Sequence, residues 1–181
     1  MMNEPIELSM SNKEVMPLFP SLVWKSQLNP KACLSLNQRI LAKLDELTAG
    51  EPPLQEGQMW QTDQRFNELA GMEDLDSILR AAAKGVLDSL KVRSDNFEMT
   101  GCWANISAPG TPHNLHTHPN NYLSGVYYVK TQAKANGLHF HDPRSQVKII
   151  EPAPLELSPA TAGKIRVEVS PGTLVMFPAW L

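Results

Sequence analysis

All five histidines of this 181-residue chain lie between His113 and His141, and three of them, His113, His116 and His118, fall within six residues. They form two His-x-His pairs, His116/His118 and His139/His141, with His113 as an outlier. In an extended strand, residues two apart point to the same face, so each pair would present two imidazoles together. Paired nitrogen donors of this kind suit a first-row transition metal. The pattern therefore predicts a mononuclear metal site with His116 and His118 as ligands. A lone histidine at a strand end is more often a satisfied polar side chain, and it is the pairing that argues for a metal. His113 is left open between a supporting and a solvent-facing role. His139 and His141 are left open between surface positions and spare ligands.

These residues need a scaffold, and the chain changes texture to supply one. Asn29-Pro30 is a helix start, followed by Cys33, Leu36, Ile40, Leu44 and Leu47 at helical spacing. Gly50 and Pro52-Pro53 end it. Leu75, Ile78, Leu79, Ala82, Val86, Leu87 and Leu90 mark a second amphipathic helix, with Gly85 as its weak point. A short strand over Leu18–Trp24 precedes them, interrupted by Pro20 and so expected at a sheet edge. From Phe97 onward, seven candidate strands follow without a helix between them: Phe97–Ser107, Leu115–His118, Leu123–Lys130, Gly137–His141, Val147–Glu151, Lys164–Val169 and Thr173–Phe177. The expectation is a mainly β fold, a sandwich or barrel with two N-terminal helices packed outside. One domain is expected: a loose leader over residues 1–16, strand and helical support over 17–92, and the β core over 93–181.

Composition narrows the function classes. A net charge of -3 and the lack of any Lys/Arg block argue against nucleic acid as a partner. Cys33 and Cys102 stand far apart, which implies no disulfide framework and suits a reducing compartment. The first sixteen residues carry no apolar run, so neither a secretory signal nor a membrane span is read there, and a cytoplasmic location is the expectation. The remaining partner is a small-molecule or peptide substrate, and a homodimer is compatible with the sequence.

Gly110 followed by His116-Thr117-His118 resembles the first motif of cupin and double-stranded β-helix folds, and Ser170 to Pro178, SPGTLVMFP, resembles their Pro-Gly turn and strand. More closely, H-x-H-x(5)-S-G-V-Y-Y-V from His116 to Val129, with Asn136 to Arg144, NGLHFHDPR, resembles a family of small bacterial and phage proteins classed as 2-oxoglutarate/Fe(II)-dependent oxygenases. The resemblance covers roughly Leu18 to Leu181. It implies a double-stranded β-helix (jelly roll), Fe(II) as metal and 2-oxoglutarate as co-substrate. It also implies a facial triad of a His-x-Asp or His-x-Glu pair and a distal histidine, with positions left open for co-substrate and oxygen. His116 falls at the first ligand position. His118 stands where the carboxylate usually is, a departure that leaves room for halogenase-like or plain metal-binding behaviour, and for zinc or nickel in place of iron.

Candidate co-substrate contacts are Asn105 and Asn114 near strand ends, Tyr127 or Tyr128, of which Tyr127 is selected, His139, and Arg144, whose fork suits a carboxylate. The resemblance places the distal histidine and a co-substrate arginine beyond Leu181, so the chain is expected to lack its last strand, to hold Fe(II) weakly or recruit His139 or His141, to show little or no turnover, and to set Leu181 beside the metal pocket. Three functions compete: a 2-oxoglutarate-dependent oxygenase, a cupin-like metal or small-ligand binding protein without turnover, and a cupin isomerase or dioxygenase that uses no 2-oxoglutarate.

Overall fold

Asn29 opens helix α1, Pro30–Leu47, by accepting the Ala32 N–H on its side-chain oxygen at 2.9 Å, with proline at the first helical position where no N–H is needed. Leu36, Ile40 and Leu44, four apart, form its buried stripe. Helix α2, Glu73–Ser89, carries Glu73, Asp74 and Asp76 in its first turn, which complements the helix dipole, and buries Leu75, Val86 and Leu87. Both helices match the sequence expectation closely, because stripe and termini are written in adjacent residues. The computed structural model describes residues 14–150 and 152–181. The expected leader therefore lies, except for its last three residues, outside the described residues.

Seven strands are present among the described residues: β1 (Trp24–Gln27), β2 (Met59–Gln61), β3 (Asn105–Ser107), β4 (Leu123–Tyr127), β5 (Gly137–His141), β6 (Lys164–Glu168) and β7 (Thr173–Pro178). They pair antiparallel in three small sheets, β1-β7-β4, β2-β3 and β5-β6. Strand β7 is the centre of the molecule, with five consecutive buried residues from Thr173 to Phe177. Such a run needs cover on both faces. Leu174 and Met176 pack against Val86 of α2, while Val175 and Phe177 pack against Phe140 of β5. The Phe140 and Phe177 rings meet edge to face at 5.0 Å, a geometry that adds about 1 kcal/mol to their burial. Helices, central sheet and the β5-β6 hairpin thus form successive layers around β7.

The result is a mixed fold of two helices and small antiparallel sheets, and several strand expectations are corrected. Of Phe97–Ser107 only Asn105–Ser107 forms a strand, with Cys102 making an isolated bridge to Arg65 ahead of it. The first strand is Trp24–Gln27 instead of Leu18–Trp24, because Phe19 takes a positive φ of 52° before Pro20 and the ladder to β7 begins only at Trp24. Val147–Glu151 is not a strand: Ser145–Lys148 forms a 3-10 turn, and Glu151 lies outside the described residues. Prolines 143, 152 and 154 around that run remove ladder donors. Leu115–His118, bracketed by Pro112 and Pro119, is not a strand either; its backbone is tied by the His118 N–H bonded to Ala179 O, just after β7. Among the described residues no helix is long and apolar enough to cross a membrane, and both cysteines are free.

Candidate metal centre

Two anchors hold His118. Its N–H donates to Ala179 O at 2.9 Å, immediately after β7, and its ring Nδ1 lies 2.8 Å from the Ser124 hydroxyl on β4. Ala179 in turn donates its N–H to Tyr122 O at 3.1 Å, so the histidine is moored where the β4-β7 pair ends. His116 is fixed by its own ring, whose Nδ1–H donates to Asn114 O at 2.7 Å. The two rings stand perpendicular, 88° apart, with their Nε2 atoms facing each other at 3.2 Å. The convergence does not come from strand alternation, since neither residue is in a strand; it comes from these separate anchors. Burial, then the neighbouring His116 and His113, push the His118 imidazole below its ordinary pKa. Partial desolvation and His116 do the same for His113. Neutral imidazoles are what a metal requires.

The donor set passes a simple test. With metal–nitrogen bonds of roughly 2.0–2.1 Å, a nitrogen separation of 3.2 Å subtends an angle of about 100° at the ion. That lies between octahedral and tetrahedral values, so the pair fits two adjacent positions of one ion. Among the described residues no group of three His, Cys, Asp or Glu side chains is arranged to hold a metal. His113 stacks on His116 at 5.0 Å with 20° between the planes, so it shields that ring with its face and does not complete the ligand set.

Of the other candidates Asn114 touches the pair, and Asn105, Tyr127, His139 and Arg144 have their partners elsewhere or face solvent. Asn105 sits on β3 with its side chain exposed, between Ala104 and Ile106, which turn inward to the α1 core. Asn114 contributes its backbone carbonyl. Tyr127 is an odd number of residues from Ser124 on the same strand and so takes the opposite face, where its hydroxyl donates to Asn37 Oδ1 of α1 at 2.7 Å. Burial, with the nearby Cys33 adding to it, pushes that phenol up to about 12. The tyrosine on the face of Ser124 is Tyr128, packed with Val126 against the Phe140–Phe177 cluster and also pushed up by burial.

His139 and His141 share a face of β5, the one opposite Phe140, in register with Arg166 and Lys164 of β6. Desolvation and then those two cations push His139 down. Arg144 spends its fork on Asp142, with Nε and Nη2 at 3.0 and 2.8 Å from the carboxylate oxygens. A groove of 550 Å³ along α1, lined by Gln27, Cys33, Leu41 and Val129 among others, contains no histidine.

The structure adds two residues to the site that the sequence reading did not select. Ser124 touches His118 directly, and the Trp103 ring lies 6.1 Å from the His118 ring, tilted by 58°. Ser124 is the serine of the S-G-V-Y-Y-V motif, a legible signal, but its six-residue offset from His118 matches no periodicity. The turn through Asn120, at a φ of 65°, is what folds the two together.

No curated protein matches the chain. Residues 101–181, which include Trp103, the imidazole pair, Ser124 and the whole of β7, match the family model described as "Putative 2OG-Fe(II) oxygenase", the family that the histidine and Pro-Gly motifs resemble.

Proposed function

We propose that His116 and His118 hold Fe(II) in a 2-oxoglutarate-dependent oxygenase that oxidises a small-molecule or peptide substrate. The observation that carries this reading is the pair of Nε2 atoms facing each other at 3.2 Å, each ring tied through its Nδ1, within the stretch that matches the oxygenase family. Fe(II) with 2-oxoglutarate supplies, when bound, the oxidising power that activates oxygen toward a C–H bond. The chain's own residues do the rest. His116 and His118 donate Nε2, Asn114 O and Ser124 Oγ orient the rings, and Trp103 and His113 flank the pair. On the same reading the β1-β7-β4 sheet and the β5-β6 hairpin, packed through Phe177 and Phe140, are the facing sheets of a double-stranded β-helix, and the two free cysteines suit the cytoplasm.

The test is anaerobic Fe(II) titration of the chain and of His116→Ala and His118→Ala, followed by oxygen uptake with and without 2-oxoglutarate. Each substitution should abolish stoichiometric Fe(II) binding while the far-ultraviolet spectrum stays unchanged, because both rings lie at the edge of the fold and not in its core. His139→Ala should bind as the parent does. Undiminished Fe(II) binding by both site variants would sink the proposal. A second reading, a metal or small-ligand binding module without turnover, is favoured by one observation: among the described residues no third donor, carboxylate included, joins the pair. Metal binding without 2-oxoglutarate-dependent oxygen uptake would select it.

A further inference from the structure

We propose that Ser124 is the positioning residue that makes His118 a metal ligand, its hydroxyl changing from hydrogen-bond donor to acceptor when a cation enters between the two imidazoles. The inference rests on the reading that His116 and His118 are the ligands. It follows from which atoms are able to carry protons. Asn114 O accepts only, so the neutral His116 ring keeps its proton on Nδ1 and turns a bare Nε2 toward His118. With no ion present, the 3.2 Å contact is favourable if His118 carries its proton on Nε2 and donates it to His116. His118 Nδ1 is then bare and takes the Ser124 O–H at 2.8 Å.

With an ion between the rings, both Nε2 atoms must be bare. The Nε2 proton of His118 leaves to solvent and Nδ1 takes one up, so the ring stays neutral and donates to Ser124 Oγ. A hydroxyl serves both arrangements by rotating about its Cβ–Oγ bond, whereas a carbonyl or an ammonium group would serve one. Ser124 is well placed for this. It sits on β4 in register with Phe177 of β7, half-buried, so its oxygen is held rigidly against a ring that is itself moored to Ala179. Partners at the far nitrogen of a ligating histidine tune metal affinity by about 10–100-fold.

The experiment uses Zn(II), a diamagnetic probe, with the full 181-residue chain. Calorimetric Zn(II) affinity is measured for the parent and for Ser124→Ala, Ser124→Thr, His116→Ala and His118→Ala, and the histidine ring nitrogens are followed by 15N NMR. Ser124→Ala should weaken Zn(II) binding by about 10–100-fold, with Ser124→Thr restoring most of it. In the parent, the His118 Nδ1 resonance should move from the bare to the protonated range as Zn(II) is added, a signature that a purely structural role for Ser124 would not produce. Parent-like affinity in Ser124→Ala, or a His118 Nδ1 that is protonated before Zn(II) arrives, overturns the inference while leaving the metal reading intact, provided that the histidine variants lose binding. Parent-like binding in both histidine variants overturns the metal reading and this inference with it.

Discussion

Replacing Gly172 with alanine should cost far more than the same change at Gly50, although both glycines hold nearly the same backbone conformation. Gly172 has a φ of 85° and Gly50 a φ of 91°, a region in which an L side chain costs about 1–2 kcal/mol. That term is common to the two positions. A Cβ at Gly50 would meet nothing within 4 Å, whereas at Gly172 it would lie 2.6 Å from Cys33 Sγ, 2.9 Å from Gln27 Nε2 and 3.1 Å from Cys33 Cβ. Relief requires Cys33 and Gln27 to turn their side chains away, at the loss of the Gln27 Nε2–H bond to Pro171 O at 2.8 Å, and Cys33 Cβ on α1 to give by a few tenths of an ångström. Overpacking of this kind costs about 1–3 kcal/mol. Movement would also strain the Gly172 N–H bond to Tyr128 O at 2.7 Å and the Leu28 N–H bond to Gly172 O at 3.0 Å.

The expected destabilisation is therefore about 2–5 kcal/mol for Gly172→Ala and about 1–2 kcal/mol for Gly50→Ala. Urea unfolding followed by circular dichroism reads the difference: with a slope of about 2 kcal/mol per molar, Gly172→Ala should lower the midpoint by roughly 1–2.5 M. The consequence reaches the candidate metal centre, because β7 runs from this turn to Pro178, next to Ala179, whose carbonyl holds the His118 N–H. Equal midpoint shifts in the two variants, with unchanged slopes, would refute the packing argument and leave only the backbone term.

Two further residues, Tyr127 and His118, carry testable outcomes. Tyr127→Phe removes the bond to Asn37 Oδ1 and should cost about 1–2 kcal/mol while Zn(II) or Fe(II) affinity is retained, since the phenol lies on the helix face of β4. The Tyr127 phenol, at about 12 in the fold against an ordinary 10, keeps its proton longer when folded, so its contribution is complete below pH 10 and is lost as pH rises toward 12. Urea midpoints measured from pH 9 to 11.5 should fall less steeply in Tyr127→Phe. At the acid end the sign is opposite. The fold lowers the His118 and His113 pKa values, so below about 6.5 the unfolded chain takes up protons first, and stability falls with acidification until the lowered folded values are passed. His118→Ala should flatten the midpoint curve between pH 7.5 and 5, and an unchanged slope would show that burial of this ring contributes nothing.

The helices were legible because everything that makes them is local. Asn29-Pro30 caps α1 within three residues, and Leu36, Ile40 and Leu44 recur one turn apart, so no distant partner is needed to recognise them. Strands β5 and β6 were nearly as clear from their apolar/polar alternation, Leu138 and Phe140 in one and Ile165 and Val167 in the other, and β7 from a run apolar enough to demand burial on both faces. Val147–Glu151, as far as it is described, and Leu115–His118 had the composition of strands, yet a strand exists only when another chain segment supplies its hydrogen bonds, and composition carries no record of that partner.

At the site, the types and clustering of His116 and His118 announced nitrogen donors without any structure, as did the motif from His116 to Val129. That the two Nε2 atoms face each other at 3.2 Å, that Ser124 and Asn114 O hold the rings, that Tyr127 turns to α1 while Tyr128 takes the other face, and that His139 and Arg144 are spent among neighbouring charges were decided only by tertiary structure. The physical reason is that a side chain's chemistry belongs to its residue, whereas its direction and partners depend on strand register and on turns such as that at Asn120, which bring together atoms whose separation along the chain has no period.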